Sequence, residues 1–408
     1  MQKFLAIGLM MFIIVGLIAC NEPDKKMAIY SMYPGDLDMW DHIFKTDGEY
    51  KFDSAPLGVI IPHHMIAAEQ ITKFYKGLSK VIDPELVIVV GPNHYENGSA
   101  NIQTCKTCLY KTEKGDTELD DEFIDDIIDD GIASLQDDTF IKEHAIFSHT
   151  PFIKNFFPEA KIVPLVLQWE MPVDEVLKLS EWLDENLPDD TLIIASVDFS
   201  HYISLEAANF HDRSTFASIS NFDFENIYDL EVDSPSSIYL ILDLMKRRGF
   251  NSAERLEHTN LDQFLSQPSG YSTSHQYFAF YEGETLPVAG ISVMLLNGIT
   301  DLGVVDNWNW DRVVRKPEDD VLYYLRGNED RFLTGSDYLI FDFECHDLTQ
   351  NGMKIKFCPA DLPIDLSNVI AGIYITPDEY EISLFPYEII DGRARLKSLK
   401  IEVVKIPR

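Results

Sequence analysis

The chain has 408 residues and a formal net charge of −35, from 33 basic and 68 acidic residues. Binding to phosphate groups depends on clustered Lys and Arg, so this charge excludes nucleic acid as a partner and disfavours binding to anionic lipid through charge. Apolar residues make up 46% of the chain and aromatic residues 12%, which excludes a disordered protein and allows two or three globular domains.

The first twenty residues resemble a bacterial lipoprotein signal peptide. Lys3 precedes an apolar stretch, residues 4–19, that ends directly before Cys20 and is short for a membrane span. In the lipobox that this pattern resembles, the Cys20 thiol is lipidated and becomes the mature N-terminus; the alternative is a plain anchor helix. Both interpretations predict an extracytoplasmic protein anchored to the bacterial cell membrane, with residues 21–50 as a tether.

Four further cysteines suit two disulfides in an oxidising compartment. Cys105 and Cys108 form a C-x-x-C pair, for which a local disulfide is predicted. A single such pair is weak evidence for zinc, and it does not open a helix after a strand as a thioredoxin-like motif does. Cys345 and Cys358 stand apart from this pair, near the C-terminus.

From residue 57 onwards the apolar pattern is typical of an α/β domain. Short β-branched runs suited to buried strands occur at residues 58–61, 86–90, 162–167 and 191–195, and alternating aromatic residues predict a late strand at 276–281. Helical periodicities occur at residues 67–78, 120–129, 173–187, 205–218 and 236–248. This alternation predicts a mixed, largely parallel sheet covered by helices on both faces, in a domain spanning residues 51–284.

A second, smaller domain is predicted for residues 285–408, beyond a change of composition near residues 282–287. Strand-like alternation recurs there at residues 338–343, 369–376 and 380–385. The pattern predicts an accessory domain of α+β or mainly β character.

Histidines follow three of the predicted strands in the main domain. His63 and His64 come after the first strand, His94 comes after the second, and the strand at 191–195 leads to His201. Ligands of an open α/β sheet collect beyond the carboxyl ends of its strands, so these imidazoles are expected to converge.

A carboxylate could complete a metal site with these histidines. Imidazole suits Fe, Cu and Zn, and two histidines with one carboxylate leave coordination positions open for water, O₂ or substrate. Asp233 is the candidate carboxylate. It could instead be the N-cap of the helix that follows, a role that Ser234 could take equally well.

At these motifs the sequence resembles the Memo family, also called AmmeMemoRadiSam system protein B. The resemblance covers residues 57–283. It rests on motifs in family order: Ile61-Pro62-His63, Gly91-Pro92-Asn93-His94, Glu143-His144-Ala145-Ile146, Ser196-Val197-Asp198-Phe199-Ser200-His201 and Val232-Asp233-Ser234-Pro235. The family is similar in fold to class III extradiol dioxygenases, which use a non-haem Fe(II) held by two histidines and one carboxylate.

The resemblance implies roles for five residues. His63 and His94 fall on metal ligands, and Asp233 falls where some relatives have cysteine and the dioxygenases have a carboxylate. His201 falls on a histidine assigned as acid/base, and Asp198 is the second residue expected to be catalytic. The implied cofactor is a divalent metal, with iron first and copper or zinc as alternatives.

Five further residues are predicted to line the pocket: His64, Glu143, His144, His149 and His275. His64 stands where the family commonly has alanine or glycine, and is either an alternative ligand or part of the wall. Glu143 and His144 either orient a ligand or pair with each other. For His149 the alternative is a core histidine, which is the more common role of such a residue, and for His275 it is a loop-surface position.

Several functions fit this pattern, and the sequence leaves open whether the protein is an enzyme. The first is a dioxygenase-like oxidoreductase acting on a small molecule; a metal-dependent hydrolase would use the same ligands. The second is a non-catalytic surface lipoprotein that binds metal or a small ligand. Family association implies radical SAM and AMMECR-type pathway partners.

The second domain resembles CapA-type metallophosphoesterases much more weakly. The resemblance rests on residues 291–298 and 341–344. Asn297 stands where that family has a metal-binding Asp, which implies a degenerate module.

Overall fold

A computed structural model describes residues 26–31, 35–169, 171–202, 205–266, 272–284, 291–295, 345–350, 353–366, 369–390, 393–396 and 402–408. The predicted signal peptide with Cys20 lies outside these residues, as do the strand predicted at 338–343 and the CapA-like positions Asn297 and 341–344. None of the helices in the described segments is long and apolar enough to cross a lipid bilayer.

Up to residue 284 the elements alternate between strands and helices. The strands are β1 (Met27–Tyr30), β2 (Gly58–Ile61), β3 (Leu86–Pro92), β4 (Ile102–Thr104), β5 (Cys108–Thr112), β6 (Gly115–Thr117), β7 (Ser134–Leu135), β8 (Lys161–Leu167), β9 (Thr191–Ser196), β10 (Phe250–Asn260), β11 (Ser274–Tyr281) and β12 (Gly283–Glu284). The helices are α1 (Leu37–Phe44), α2 (Ala68–Leu78), α3 (Asp121–Asp129), α4 (His144–Phe147), α5 (Thr150–Phe156), α6 (Val173–Asn186), α7 (Leu205–Ser220), α8 (Pro235–Arg248) and α9 (Leu261–Phe264). Short 3₁₀ turns include Met65–Ala67 and Ile227–Asp229.

One sheet positions the candidate site. It has nine strands in the order β12-β10-β11-β2-β9-β3-β8-β4-β7. The central neighbours β2, β9, β3 and β8 run parallel, so their carboxyl ends lie at the same edge. Strands β11 and β4 flank them in the antiparallel direction. Helices flank this sheet, and the predicted mixed, largely parallel α/β fold is confirmed.

The central strands form the core of the molecule. Every residue of β2, β3 and β9 is buried, and so is all of β8 apart from Lys161. Unbroken apolar runs of this kind are typical of parallel strands that are covered on both faces. Each fully buried Val or Ile side chain contributes about 1.5–3 kcal/mol relative to exposure, so the strand ends that carry the site rest on a stable base.

Helix α8 begins and ends as its sequence predicts. The Ser234 side chain accepts the backbone N–H of Ser237, and Pro235 occupies the first turn, where its missing N–H is not needed. Gly249 ends the helix in the left-handed conformation, with φ of 80°. Ser234 is therefore the N-cap, and the Asp233 carboxylate is free for another role.

The described C-terminal residues form a smaller, separate sheet. Its strands are β13 (Ile291–Leu295), β14 (His346–Gln350), β15 (Met353–Phe357), β16 (Val369–Ile375), β17 (Glu379–Ile390), β18 (Arg393–Leu396) and β19 (Glu402–Pro407). All but β14 and β15, which pair as a hairpin, join one antiparallel sheet. The 3₁₀ turn Pro359–Asp361 is the one helical segment in this described part, so its character is mainly β.

The described residues contain two disulfides, the number that the cysteine count suited. Cys105 and Cys108 are joined between β4 and β5, which confirms the local pairing expected for the C-x-x-C motif. Cys345 and Cys358 are joined across the open end of the β14–β15 hairpin. Each bond closes a short loop, so it constrains local structure rather than linking the two parts of the chain.

Candidate metal centre

Two strand ends and the start of one helix bring three ligand atoms together. His63 follows β2, His94 follows β3, and Asp233 directly precedes the N-cap of α8. His63 Nε2 lies 3.1 Å from Asp233 Oδ2, and His94 Nε2 lies 3.6 Å from the same oxygen. The two imidazole rings are nearly perpendicular, with centroids 5.0 Å apart.

Two of these atoms need a partner that the described residues do not supply. His63 Nε2 and Asp233 Oδ2 are buried and lack a hydrogen bond; although they lie within ion-pair distance, their angle is not that of a hydrogen bond. A buried polar atom without a partner costs about 1–3 kcal/mol. Two ligands bound about 2.1 Å from one metal ion lie roughly 3.0–3.4 Å apart. The observed separations and the donor set therefore fit a divalent metal.

Ser196 determines which nitrogen His63 presents. The Ser196 hydroxyl donates its hydrogen to the backbone oxygen of Ala145, at 2.7 Å. His63 Nδ1, 3.0 Å from Ser196 Oγ, must then be the donor in that contact. With its proton on Nδ1, a neutral His63 presents the Nε2 lone pair to the metal position.

His149 and Tyr75 support Ser196 from beneath. His149 Nε2 lies 3.0 Å from Ser196 Oγ, and Tyr75 Oη lies 3.0 Å from His149 Nδ1. Burial lowers the pKa of His149 to about 3, so it is neutral, and raises the pKa of Tyr75, so its phenol stays protonated. Tyr75 therefore donates to His149, which donates to Ser196. His149 is fully buried in this chain of hydrogen bonds, whereas the sequence predicted it in the pocket wall.

Glu143 orients His94 in the same way. Glu143 Oε1 accepts from His94 Nδ1 at 2.7 Å, and Oε2 accepts the backbone N–H of His94 at 2.9 Å. Oε1 also accepts the backbone N–H of Ala145. With its proton on Nδ1, a neutral His94 presents the lone pair of Nε2 towards Asp233. Glu143 is wholly buried, so it holds this ligand from behind and does not line the cavity.

The buried carboxylates make the site favourable for positive charge. Burial lowers the pKa of His94, but the neighbouring carboxylates of Asp233 and Glu143 outweigh it and raise that pKa to about 10. For His63, burial acts in the same direction and is outweighed by Asp198 and Asp233, so its pKa is also raised. Burial would raise the pKa of Asp233, but the two histidines hold it well below its usual range. Metal binding would therefore displace protons.

Asp198, which follows β9, forms hydrogen bonds both to the backbone beside His63 and to the side chain of Asp233. Its Oδ1 accepts the backbone N–H groups of His63 and His64, at 3.1 and 3.3 Å. Its own backbone N–H donates to Asp233 Oδ1, and its Oδ2 lies 3.4 Å from His63 Nε2. The structure thus places Asp198 beside the ligands, where it also lines the cavity; its predicted catalytic role stays a prediction.

His144 lies in the cavity wall next to the ligands. Its ring stacks on His94, with centroids 4.0 Å apart, and burial lowers its pKa to about 4. With His63 and His94 it forms a group whose ligand atoms lie within 4.8 Å of one another, and His63, Asp198 and Asp233 form another such group. His144 is therefore placed both as part of the wall and as an additional neutral donor.

His64 and His201 line the cavity. His64 Nδ1 lies 3.0 Å from His275 Nε2. His275 is fully buried behind His64, with its Nδ1 3.3 Å from the hydroxyl of Thr259. It contacts the wall residue His64 and does not itself line the cavity, so it belongs neither to the loop surface nor to the cavity wall.

The cavity has a volume of about 1300 Å³, and His94, Asp198 and Asp233 are among the residues that line it. Small-molecule sites are usually roughly 300–1,000 Å³, so there is room for a substrate above the ligands. Four aromatic residues that were not predicted from the sequence also line the cavity: Tyr95, Trp169, Tyr202 and Tyr228.

Ser196 and Tyr75 were also missed as parts of the site. Ser196 had one signal, since it is a polar residue that ends an otherwise apolar strand. Tyr75 had none, because its position in α2 is that of an ordinary core residue.

The parallel sheet with two imidazoles and a carboxylate beyond its strand ends defines an α/β protein with a candidate metal site. The chain belongs to the Memo-like protein family, which matches residues 29–272, more than half of its length. This match ends before the C-terminal sheet begins.

Relatives of this family are similar over most of their own length. A MEMO1 family protein of Caldivirga maquilingensis is 29% identical over 248 residues, 55% of this chain and 83% of that protein. One of Methanobrevibacter smithii is 29% identical over 236 residues, 53% of this chain and 82% of that protein. Among solved structures, the uncharacterized protein JW3007 from Escherichia coli K12 aligns with a TM-score of 0.37 and 12% identity, over 54% of this chain and 98% of that one.

Proposed function

We propose that the protein is a metal-dependent, dioxygenase-like oxidoreductase that uses a divalent metal, iron first, held by His63, His94 and Asp233. One observation supports this most: His63 Nε2 and Asp233 Oδ2 are buried and lack hydrogen-bond partners among the described residues. When bound, a non-haem metal with three protein ligands would supply open positions for O₂ and for a substrate.

The surrounding residues keep the ligands in a reactive state. Ser196 and Glu143 hold the Nδ1 protons of His63 and His94, so both Nε2 atoms remain available without any rearrangement. Groups of this kind commonly change metal affinity by 10- to 100-fold when removed.

His201 is the proposed general acid/base. It lies in the cavity wall with Asp198 and Asp233, where an imidazole nitrogen can take a proton from a substrate hydroxyl. Asp198 acts on this step by fixing the loop of His63 through its backbone hydrogen bonds.

Oxygen uptake tests this proposal. The full chain, loaded anaerobically with Fe(II), is mixed with O₂ and each of 4-methylcatechol, dopamine and 3,4-dihydroxyphenylacetate. We expect uptake with at least one of them, and a loss of about 100-fold or more in His201→Gln with metal content unchanged. His42→Gln, at an exposed histidine of α1, is the control. No uptake by the iron-loaded wild type, or equal uptake by His201→Gln, would contradict the proposal.

We also propose that Cys20 is lipidated and anchors the protein at the outer face of the bacterial cell membrane. The short apolar stretch before Cys20 and the single preceding Lys3 support this. Cys20→Ala should abolish incorporation of labelled palmitate, because the acceptor thiol is lost. Equal labelling of the variant would rule out Cys20 as the site.

A further inference from the structure

Helix α7 contains a buried carboxylate that takes no part in the metal site. Asp212 is wholly buried and lies midway along this helix. Aspartate is an unfavourable residue in a helix interior, and a carboxylate is costly to bury unless it is paired and hydrogen-bonded. The reason for an aspartate at this position therefore lies in the groups that it contacts.

Three side chains from other segments form hydrogen bonds with Asp212. Its Oδ1 accepts the hydroxyl hydrogens of Ser200, at 3.0 Å, and of Ser274, at 2.8 Å. Its Oδ2 lies 2.7 Å from Nε2 of His258, and this nitrogen is the donor because a carboxylate only accepts. Ser200 and Ser274 are also wholly buried. These four residues, the Asp212 cluster, join α7 to strands β10 and β11 and to the segment between β9 and α7.

Ser200 links this cluster to the candidate site, because it directly precedes His201. The backbone of Ser200 is held as well as its side chain. Its carbonyl oxygen accepts the backbone N–H of Ser274 at 2.9 Å, and the backbone N–H of Phe199 donates to the Ser274 carbonyl oxygen at 3.0 Å. Hydrogen bonds to both the backbone and the side chain therefore fix the chain directly before His201.

Directly after His201 the chain adopts an uncommon backbone conformation. Tyr202 has φ of 57°, in the left-handed region that residues other than glycine rarely occupy. Such a conformation persists only where the surrounding structure imposes it, and it is found most often at functional sites. The half-buried ring of His201 thus lies between two residues whose backbone is fixed.

The Asp212 cluster lies behind the cavity wall. His201 lines the cavity, whereas Asp212, Ser200 and Ser274 do not and are wholly buried. Asp212 therefore cannot touch a molecule in the cavity, and it can affect such a molecule only through a residue of the wall. His201 is the wall residue that directly follows the fixed Ser200.

We propose that Asp212 is a positioning residue for His201: it holds Ser200, and thereby keeps the His201 imidazole in place in the cavity wall. Misplacing a reacting group by about 1 Å can cost roughly 100-fold in rate, so a fixed chain before His201 favours proton transfer. His258 pairs with the buried carboxylate. The acid/base role of His201 rests on the proposed function, whereas the fixing of its side chain by Asp212 does not.

Chemical modification of histidines measures this positioning without any turnover. Diethyl pyrocarbonate modifies accessible neutral imidazoles, and mass spectrometry of the full chain gives the rate at each histidine. Ser200→Ala removes the hydroxyl that Asp212 holds, so His201 should be modified about threefold faster or more than in the wild type. His42, an exposed histidine of α1, is the internal reference and should react at its wild-type rate.

Further variants show whether the carboxylate oxygen is the cause. Asp212→Ala removes the oxygen and should behave as Ser200→Ala does. Asp212→Asn keeps an oxygen that can accept from both serines, so His201 should react within about twofold of its wild-type rate. Ser180→Ala removes another buried hydroxyl, one that donates to Asp243, and should leave the rate at His201 unchanged. If Asp212→Ala does not fold, Ser200→Ala and Asp212→Asn complete the test.

Oxygen uptake by the same iron-loaded proteins relates the positioning to the proposed function. In Ser200→Ala we expect kcat to fall about tenfold or more, with KM and metal content within about twofold of the wild type. A change confined to kcat indicates that the acid/base group is misplaced while substrate and metal still bind.

Four results would overturn this inference. They are a wild-type modification rate of His201 in Ser200→Ala, equally faster modification of His42, Asp212→Asn reacting as fast as Asp212→Ala, and an unchanged kcat where His201 is modified faster. The first of these, with normal oxygen uptake by the wild type, would leave the proposed function standing. Faster modification of His201 alone, without uptake by any of the proteins, would support the fixing of His201 and contradict the oxidoreductase.

Discussion

In both His63 and His94, one ring nitrogen forms a hydrogen bond with a buried group and the other lies close to Asp233. The sequence predicted these three residues together because each follows a strand end or precedes a helix. It did not predict Ser196 or Tyr75, since a hydrogen bond between residues far apart in sequence depends on how helix α2 packs against the sheet. At the scale of residues, therefore, the sequence pointed to the candidate ligands and to Glu143, but not to Ser196 or Tyr75.

Removing the Ser196 hydroxyl tests how the ligand is oriented. Ser196→Ala should lower Zn(II) affinity about 10- to 100-fold, because His63 Nδ1 loses the acceptor that keeps the proton there. The affinity is measured by competition with a chromogenic chelator. Ser180→Ala, at a buried serine that donates to Asp243 away from the site, is the matched control. Wild-type affinity in Ser196→Ala would show that the hydroxyl has no such role.

The buried, neutral state of His149 predicts a pH dependence of stability. Its pKa of about 3 lies below the unfolded value of 6.5, so the unfolded chain takes up the proton first as pH falls. The stabilisation is present above pH 6.5 and is lost as pH falls from there towards 3. The loss is at most about 1.4 kcal/mol for each pH unit.

Urea unfolding of the wild type and His149→Gln, both with chelator, measures this loss. Glutamine does not titrate, so the difference in unfolding free energy between the two proteins should shrink from pH 6.5 to pH 4. A difference that stays constant over that interval would show that His149 is not held neutral by the fold.

At the scale of elements, the site requires β3 and α4 to lie unusually close. A Cβ atom on Gly91 would lie 2.7 Å from the Ala145 Cβ and 3.3 Å from the backbone oxygen of Ser196. This contact keeps Glu143, at the N-cap of α4, beside His94 after β3. Gly91 belongs to the motif that ends in His94, but nothing in the sequence alone explains why a glycine is needed there.

The variant Gly91→Ala should therefore damage both stability and the site. We expect a loss of about 1–3 kcal/mol in unfolding free energy from overpacking, with weaker Zn(II) binding, because α4 must move away from β3. Gly58→Ala is the matched control, since its Cβ would meet the flexible end of Met245 at 2.8 Å. It should cost stability without changing the Zn(II) affinity. Wild-type Zn(II) affinity in Gly91→Ala would contradict this account of the close contact.

The buried elements were the most predictable part of the fold. The strand predicted at residues 58–61 agrees with β2, and the helix predicted at 236–248 differs from α8 by one residue. Strand β10 was missed because it carries mostly polar residues and is only partly buried, so no apolar period marks it. Its place in the sheet comes from pairing with β11, which a local pattern does not encode.

At the scale of the whole molecule, more of the structure could be predicted for the Memo-like part of the chain than for the C-terminal sheet. The family match and the central sheet account for the residues up to 284, and the fold class of this part was predicted correctly. The C-terminal sheet has its own small core, which includes Phe357, Ile373 and Ile382. Its alternating pattern predicted strands, but antiparallel pairing partners depend on turns and register that the pattern does not specify.

The central claim, that His63, His94 and Asp233 bind one metal ion, is tested most directly by elemental analysis. The full chain is purified beside His63→Ala/His94→Ala, and each is analysed as isolated and after anaerobic loading with Fe(II). The account predicts about one equivalent of iron, copper or zinc in the wild type, and its loss in the variant. No metal in either protein, even after loading, would contradict it, and so would equal metal content in both.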